Sequence, residues 1–373
     1  MLSSTDQGAW YALSGLQRFQ ALIDLGAGTT LAMLVARTSD PARLGGLIRY
    51  GVGWHLGAAV IWLVVAGSAG SAWIAHTLGL EWVAPWLALV LASSLAIPST
   101  PLLLVLEARG RVAEVYRFRI AQGVRARVLS WGLLAAGLGA WAQAAERASV
   151  AIDSALWLRN RAPELRDAVA VATPVSVRDV WPYQWRIAAA TVGGALPHAL
   201  IIPIAVARFG AVEGGRLGAA FAVIGAFHGL AWASLAPVVP RVGSLLASGG
   251  RASAWDAIRR GAVTAGALHV TSSALFVLFV ALAPERVADR LPSAGVVALI
   301  AASLGVRLLR EVFAAWCRAD LRPVTWPVDL GEGLLCAPAL ALFGGDVAGL
   351  SAAFLACSVA NAAATLLVGR DRA

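Results

Sequence analysis

The sequence contains no lysine: its 30 basic side chains are all arginine, set against 21 Asp and Glu. An arginine-only basic set reflects a coding bias more than a chemistry. Charge of either sign is scarce, at 14% of 373 residues, while 59% are hydrophobic and the mean hydropathy is +0.74. That balance excludes a soluble globular enzyme and points to a multi-pass membrane protein. Cysteine is rare as well. Cys317, Cys336 and Cys357 lie in or beside apolar segments without CxxC spacing, which argues against a disulfide frame or a zinc site and leaves them as small packing residues. No basic leader or small-residue cleavage site precedes the first apolar segment, so that segment is expected to remain in the membrane. There is no GxSxG, P-loop or DxD motif, and no acid pair beside a loop histidine. No metal, cofactor or enzymatic activity is expected.

What the sequence has in abundance is apolar length. A spanning helix needs roughly 20 mostly apolar residues. Eleven candidate segments occur, at 11–36, 51–78, 82–106, 120–141, 149–158, 183–207, 214–238, 261–283, 292–316, 326–343 and 347–368. The fifth is the short one, and the polar tract from Gln143 to Arg147 before it predicts a tight turn shared with the fourth. The longest connection, 159–180, is too short for an extra-membrane domain. Of the arginines, 24 fall on one side of this arrangement, from Arg37 through Arg322 to Arg372. Six fall on the other: Arg18, Arg147, Arg208, Arg216, Arg286 and Arg290. Such a bias in short loops places the larger set in the cytoplasm, with the N-terminus outside and the C-terminus inside. Basicity then records topology, and a nucleic-acid partner is not expected.

Polar residues inside the segments carry the functional signal, because a charge near the bilayer midplane costs at least ~3 kcal/mol and must face protein or water. Ser14, Gln17, Gln20 and Asp24 recur every three to four residues on one face of the first segment. Such a stripe fits a wet cavity, or equally hydrogen bonds between packed helices. The tenth segment has a similar stripe at Thr325, Asp329, Glu332 and Cys336. The ninth ends with Arg307, Arg310 and Glu311, where Arg307 and Glu311 can pair at i,i+4. These near-terminal charges can also snorkel into headgroups. Arg186 and Arg216, at the inner start of the sixth and the outer start of the seventh segment, would put guanidinium forks suited to phosphate at the two mouths of a central cleft. His55, His198, His228 and His269 fall one per helix without ligand spacing, which suits core histidines bonded to neighbouring helices. His198 and His228 are the candidates for a proton relay. Pro98 and Pro101, Pro197 and Pro203, and Pro237 and Pro240 predict bends in the third, sixth and seventh segments, as alternating access requires.

The 159–180 connection separates five segments from six. This gives an N-terminal bundle over 1–160, a cytoplasmic loop over 161–180 and a C-terminal bundle over 181–373. The first and seventh segments run alike, from an acidic, Gly-containing start to a terminal Arg. If the halves are repeats, the first half is expected to lack its opening helix.

Four stretches carry a family resemblance: DQGAWYALSGLQRFQALIDLGAG from Asp6 to Gly28, LEARGRVAEVYRFR from Leu106 to Arg119, WPYQWRIA from Trp181 to Ala188, and GAVEGGRLG from Gly210 to Gly218. They resemble bacterial polysaccharide-biosynthesis proteins, the lipid-linked oligosaccharide flippase-like branch of the multidrug/oligosaccharidyl-lipid/polysaccharide (MOP) exporter superfamily. The resemblance implies an all-α integral membrane fold of about 11 transmembrane helices in two bundles arranged as a V, with a cavity opening alternately to either side. It implies a polyprenyl-pyrophosphate-linked glycan as substrate, held by cavity cations. Gln17, Asp24, Gln184, Arg186 and Arg216 occupy the matching positions. That branch commonly has Glu at Asp24 and Gln at Arg216, so Arg216 adds a charge.

The leading expectation is a non-enzymatic transporter of lipid-linked oligosaccharide or polysaccharide precursors across the bacterial inner membrane. Its partners would be that glycan, membrane lipids and glycan-assembly proteins. The cavity candidates are Gln17, Gln20, Asp24, Gln184, Arg186, Arg216, Arg307, Arg310 and Glu332. The competing expectations are an antiporter of drugs or metabolites driven through acids such as Asp24, and a transport-inactive structural membrane protein.

Overall fold

The computed structural model describes residues 3–319, 326–343 and 345–370. Thr325, Arg322 and Arg372 lie outside the described residues. Helices dominate, with no strand among the described residues. The chain divides into two compact units, Met1–Ala188 and Ala189–Ala373.

The first unit begins with α1 (Ser4–Gln17), α2 (Gln20–Ile23) and α3 (Ala27–Ala36). Ser3 caps α1 by accepting from the Asp6 N–H, while the Asp6 carboxylate accepts from the Ser3 N–H, a reciprocal arrangement that satisfies two orphan donors. These helices form one bent span, turned by 44° where α2 meets α3. No proline is involved. The bend comes from Leu25 and Gly26, with φ of 48° and 69°. A β-carbon on Gly26 would also lie 2.6 Å from Ile187 Cγ2 and 2.9 Å from the Ala188 nitrogen. Glycine is therefore required twice there, for its backbone and for the close approach.

Next comes α4 (Pro41–Val65), capped by the Asp40 carboxylate with Pro41 in its first turn. It continues through a widened turn at Ala66–Gly70 into α5 (Ser71–Thr77). The Trp86 indole donates to the Ala66 carbonyl at 2.8 Å, and a β-carbon on Gly70 would meet that ring at 2.8 Å. Trp86 belongs to α6 (Val83–Ala96), which leads through a turn holding Pro98 to α7 (Thr100–Leu106). A further widened turn, Glu107–Arg111, joins α8 (Val112–Ala135), with Gly110 at φ 88° marking the kink. Then follow α9 (Trp141–Arg159), α10 (Ala162–Ala170) and the start of α11 (Val177–Leu235).

The second unit holds the rest of α11, then α12 (Val238–Ala247), α13 (Arg251–Leu282), α14 (Glu285–Ala288), α15 (Ala294–Ala319), α16 (Trp326–Phe343) and α17 (Val347–Arg370). The apolar segments expected from the sequence thus lie mostly on helix. Among the described residues, five helices are individually long and apolar enough to cross a membrane, or six with the bent pair, and two of them, Leu80–Ala135 and Val177–Leu235, each carry most of two expected segments.

Two expectations need correction. The tract from Gln143 to Arg147 is not a turn but the opening of the 19-residue α9. The turn lies earlier, where Gly137 and Gly139 adopt φ of 82° and 48°. Pro197 and Pro203 do not break α11, whose break is at Gly210, at φ 85° and ψ 168°, a conformation reserved for glycine.

Side chains face outward and inward in the pattern a bilayer demands. On α4, Leu56, Val60, Ile61 and Val64 are exposed while Ala58, Ala59 and Trp62 are buried. Lipid tails are as apolar as leucine, so burial of apolar surface gives little net drive and close packing with small residues holds such helices together. The tightest approach is in the second unit. There Gly193 of α11 lies against the Asp329 carbonyl and Leu330 of α16, and Gly333 lies against Gly193.

Candidate functional site

The polar stripe of the first segment opens onto a cavity of about 590 Å³ within the first unit. Ser14, Gln17, Gln20 and Asp24 all line it, with Trp10, Arg18, His55, Arg127, Gln143, Glu146 and Arg147. The two readings of the stripe are both realised. Gln17 Nε2 donates to Ser93 Oγ at 2.9 Å, and Gln143 Nε2 donates to the Trp10 carbonyl at 2.8 Å and to Ser14 Oγ at 2.9 Å. These bonds fix the wall and leave the volume polar. Arg127 and Glu146 pair across α8 and α9 at 3.3 Å. The volume lies in the ~300–1,000 Å³ range of small-ligand sites.

Asp24 is the most constrained wall residue. It follows α2 at the bend, both carboxylate oxygens accept from the Gly28 N–H at 3.2 Å, and its carbonyl accepts from the Trp54 indole at 3.0 Å. The carboxylate therefore caps α3, where an acid is favoured by the exposed N–H groups. Its Oδ1 lies 2.9 Å from Nε2 of His55, which is 2% exposed on α4. The other ring nitrogen, Nδ1, is 2.8 Å from the Gly51 carbonyl. A carbonyl only accepts, so Nδ1 carries a proton.

In the second unit the candidate charges close onto one another. Arg310 Nη1 lies 3.0 Å from Asp329 Oδ1 and 2.6 Å from Glu332 Oε2, with the three side chains 10%, 10% and 5% exposed. Asn361 of α17 donates to the same Glu332 oxygen, and Thr365 Oγ1 donates to Asn361 Oδ1 at 3.3 Å. The close crossing at Gly193 allows this. It brings α16 against α11, and a β-carbon on Gly194 would lie 3.2 Å from the Arg310 guanidinium. Arg310 and Glu332 therefore do not snorkel. Arg307 and Glu311 form their i,i+4 pair at 2.7 Å, and the second Glu311 oxygen accepts from His228 Nε2 at 3.1 Å. His269 Nε2 donates to the Ala301 carbonyl of α15 at 3.0 Å. His198 packs edge-on against Phe354, with ring centroids 4.8 Å apart.

The remaining candidates stand apart from both clusters. Gln184 is fully buried and accepts from Tyr50 Oη at 2.8 Å. Arg186 is exposed, its guanidinium 5.3 Å from the Trp185 ring centroid. Arg216 pairs with Glu213 at 2.6 Å and donates to the Asp289 carbonyl at 3.0 Å. Sequence reasoning missed Gln143, Arg127 and Glu146 as cavity residues, and Asn361 as the partner of Glu332. For the first group a signal existed: Gln143 and Glu146 are three apart, one face of a helix. His55 was visible only as one histidine among several.

No protein-family profile and no curated protein matches the sequence. The fold has clear counterparts among solved structures. An inward-facing multidrug resistance MATE family transporter of the MOP superfamily superposes with a TM-score of 0.71 at 14% identity, over 100% of this chain and 95% of that one. The MATE multidrug transporter DinF-BH gives a TM-score of 0.67 at 13% identity, over 100% and 89% of the two chains. A MOP superfamily transporter from Pyrococcus furiosus, described as having a binding pocket of reverse polarity that suggests a different function, gives 0.62 at 13% identity over 98% and 90%. The chain has the all-helical fold of the MATE transporters of the MOP superfamily.

Proposed function

We propose that this chain is a non-enzymatic transporter of the bacterial inner membrane that moves lipid-linked oligosaccharide or polysaccharide precursors by alternating access. The observation that carries the reading is the cavity of the first unit. An apolar helical bundle has no packing reason to surround about 590 Å³ with amides, arginines and the acids Asp24 and Glu146. The lining suits a glycan: Gln17, Gln20 and Gln143 offer amide donors and acceptors, Trp10 an aromatic edge, and Arg147 a cation at the wall. Two features support this substrate over a drug: the resemblance of WPYQWRIA and VYRFR to the flippase-like branch, and the mixed polarity of the cavity. Arg186 would serve the pyrophosphate from its exposed position on α11.

One observation favours a second reading. The 2.9 Å contact of Asp24 with His55 sets an acid and a histidine together on the cavity wall, as a proton-driven antiporter needs, and two of the neighbours above are described as multidrug transporters. The two readings separate experimentally. Vesicles containing the purified protein are loaded with a fluorescent polyprenyl-pyrophosphate-linked sugar, and its translocation is followed by quenching from the far leaflet. Translocation that falls at least tenfold in Gln17→Ala and Arg186→Ala, with insertion unchanged, supports the flippase. Proton-gradient-dependent uptake of a small organic cation, abolished in Asp24→Asn and indifferent to the lipid-linked sugar, replaces it with the antiporter. Asn can donate to His55 Nε2, so Asp24→Asn removes the carboxylate while keeping the contact.

A further inference from the structure

Two of the three cysteines share one helix pair. Cys336 is on α16 and Cys357 on α17, and helix register sets them opposite each other. Glu332 and Asn361 are bonded across the same two antiparallel helices. One turn further, four residues on along α16 and four back along α17, stand Cys336 and Cys357. They are the next rung of that ladder. Cys336 is 2% exposed and Cys357 is partly exposed, so Cys357 is the more open of the two to a small, membrane-permeant reagent. Cys317, on α15, is buried.

We propose that Cys336 and Cys357 form an interhelix dithiol, a modification site for mild two-electron oxidants, which closes into a disulfide tying α16 to α17 beside the Arg310–Glu332–Asn361 cluster. With a diazene such as diamide, the partly exposed Cys357 sulfur adds to one nitrogen of the N=N bond and its proton goes to the other. The Cys336 sulfur then attacks Cys357 sulfur, the S–S bond forms, and the substituted hydrazine leaves with the second proton. Two thiols lose two electrons and two protons, and the N=N bond gains both. Closure brings the sulfurs to about 2.05 Å. A disulfide here would limit any sliding of α16 along α17, which the cluster one turn away would feel. This assignment is independent of the transport reading.

The test counts thiols in the full-length protein in detergent. It is treated with diamide, quenched, denatured, and labelled with polyethylene-glycol maleimide for a gel-shift readout. Wild type should fall from three adducts to one, with Cys317 the survivor, and return to three after dithiothreitol. Cys336→Ser and Cys357→Ser should each show two adducts with or without diamide, and Cys317→Ser should fall from two to none. Mass spectrometry of the digest should recover the disulfide-linked Cys336 and Cys357 peptides. Three adducts retained in oxidised wild type would overturn the proposal. So would a fall to two, loss of label in Cys336→Ser, or linkage through Cys317.

Discussion

Replacing Arg310 by Met keeps an unbranched side chain of similar length and deletes the charge on which Asp329 and Glu332 converge. In the native unit the guanidinium lies within 3.0 Å of one carboxylate and 2.6 Å of the other, with all three groups at most 10% exposed. Removing one partner of a buried ion pair costs about 3–5 kcal/mol, because an uncompensated charge stays in a poorly solvated place. Here two carboxylates are left, so the upper part of that range applies. Domains of 150–250 residues lose about 2–4 °C of melting temperature per kcal/mol, and the second unit spans Ala189–Ala373. The melting temperature should therefore drop by on the order of 10 °C, measured by intrinsic tryptophan fluorescence or by fluorescence-detected size exclusion after heating in detergent. The triple variant Arg310→Met, Asp329→Asn, Glu332→Gln should recover more than half of the loss, since replacing a whole buried ionic set by neutral groups is often close to neutral. A drop of less than about 2 °C in the single variant, or a triple variant less stable than the single one, would refute the view that these charges are structural partners.

Other positions test the cavity and the bend. Gly26→Ala adds a β-carbon both at φ 69° and against Ile187 and Ala188, whereas Gly110→Ala adds one at φ 88° with nothing within 4 Å. Both should lose the ~1–2 kcal/mol of left-handed backbone strain, and only Gly26→Ala should lose more. Equal melting shifts would show that the close approach to α11 has no energetic weight. Gln143→Leu removes the donor to Trp10 and Ser14, so a stability loss of about 1–2 kcal/mol should accompany a weaker affinity for the lipid-linked sugar, read by titration into vesicles. Unchanged affinity with the stability loss present would confine Gln143 to a packing role.

Much of the fold is legible in the residues because a bilayer enforces a simple rule. Every backbone polar group inside it must bond within its own helix, so apolar length converts directly to helix, as it does over most of the eleven segments. What escapes is where helices break. Prolines such as Pro197 and Pro203 attract attention, yet the tertiary context of α11 accommodates both. Gly26, Gly137, Gly139 and Gly210 supply the positive φ, and nothing local separates them from glycines that serve packing, such as Gly193. The site divides along the same line. Spacing alone places Ser14, Gln17, Gln20 and Asp24 on one face, since all four lie within one short stretch of chain, from α1 to the end of α2. Asn361 beside Glu332, or His55 beside Asp24, joins helices whose pairing depends on tertiary packing, and a periodicity argument cannot reach across it.

The two units use their polar residues in opposite ways, and this decides what substitution in each should do. In the first, each amide bond is peripheral to an open volume: Gln17 and Gln143 are anchored to Ser93, Ser14 and the Trp10 carbonyl, and the space they frame remains accessible. In the second, Arg307 with Glu311 and His228, and Arg310 with Asp329 and Glu332, meet inside the unit, with Arg310 and its two partners the most deeply enclosed. An open polar wall costs the bundle packing, which a bilayer protein can least spare, a cost that the proposed ligand site would account for. A closed ionic cluster needs no ligand, because its members satisfy each other. Substitutions such as Gln17→Ala should thus alter substrate handling with a stability loss of only about 1–2 kcal/mol, and Arg310→Met should cost more stability and leave substrate handling to the other unit. A scan giving equal stability losses in both units would remove the distinction and, with it, the main reason for assigning the ligand to the first.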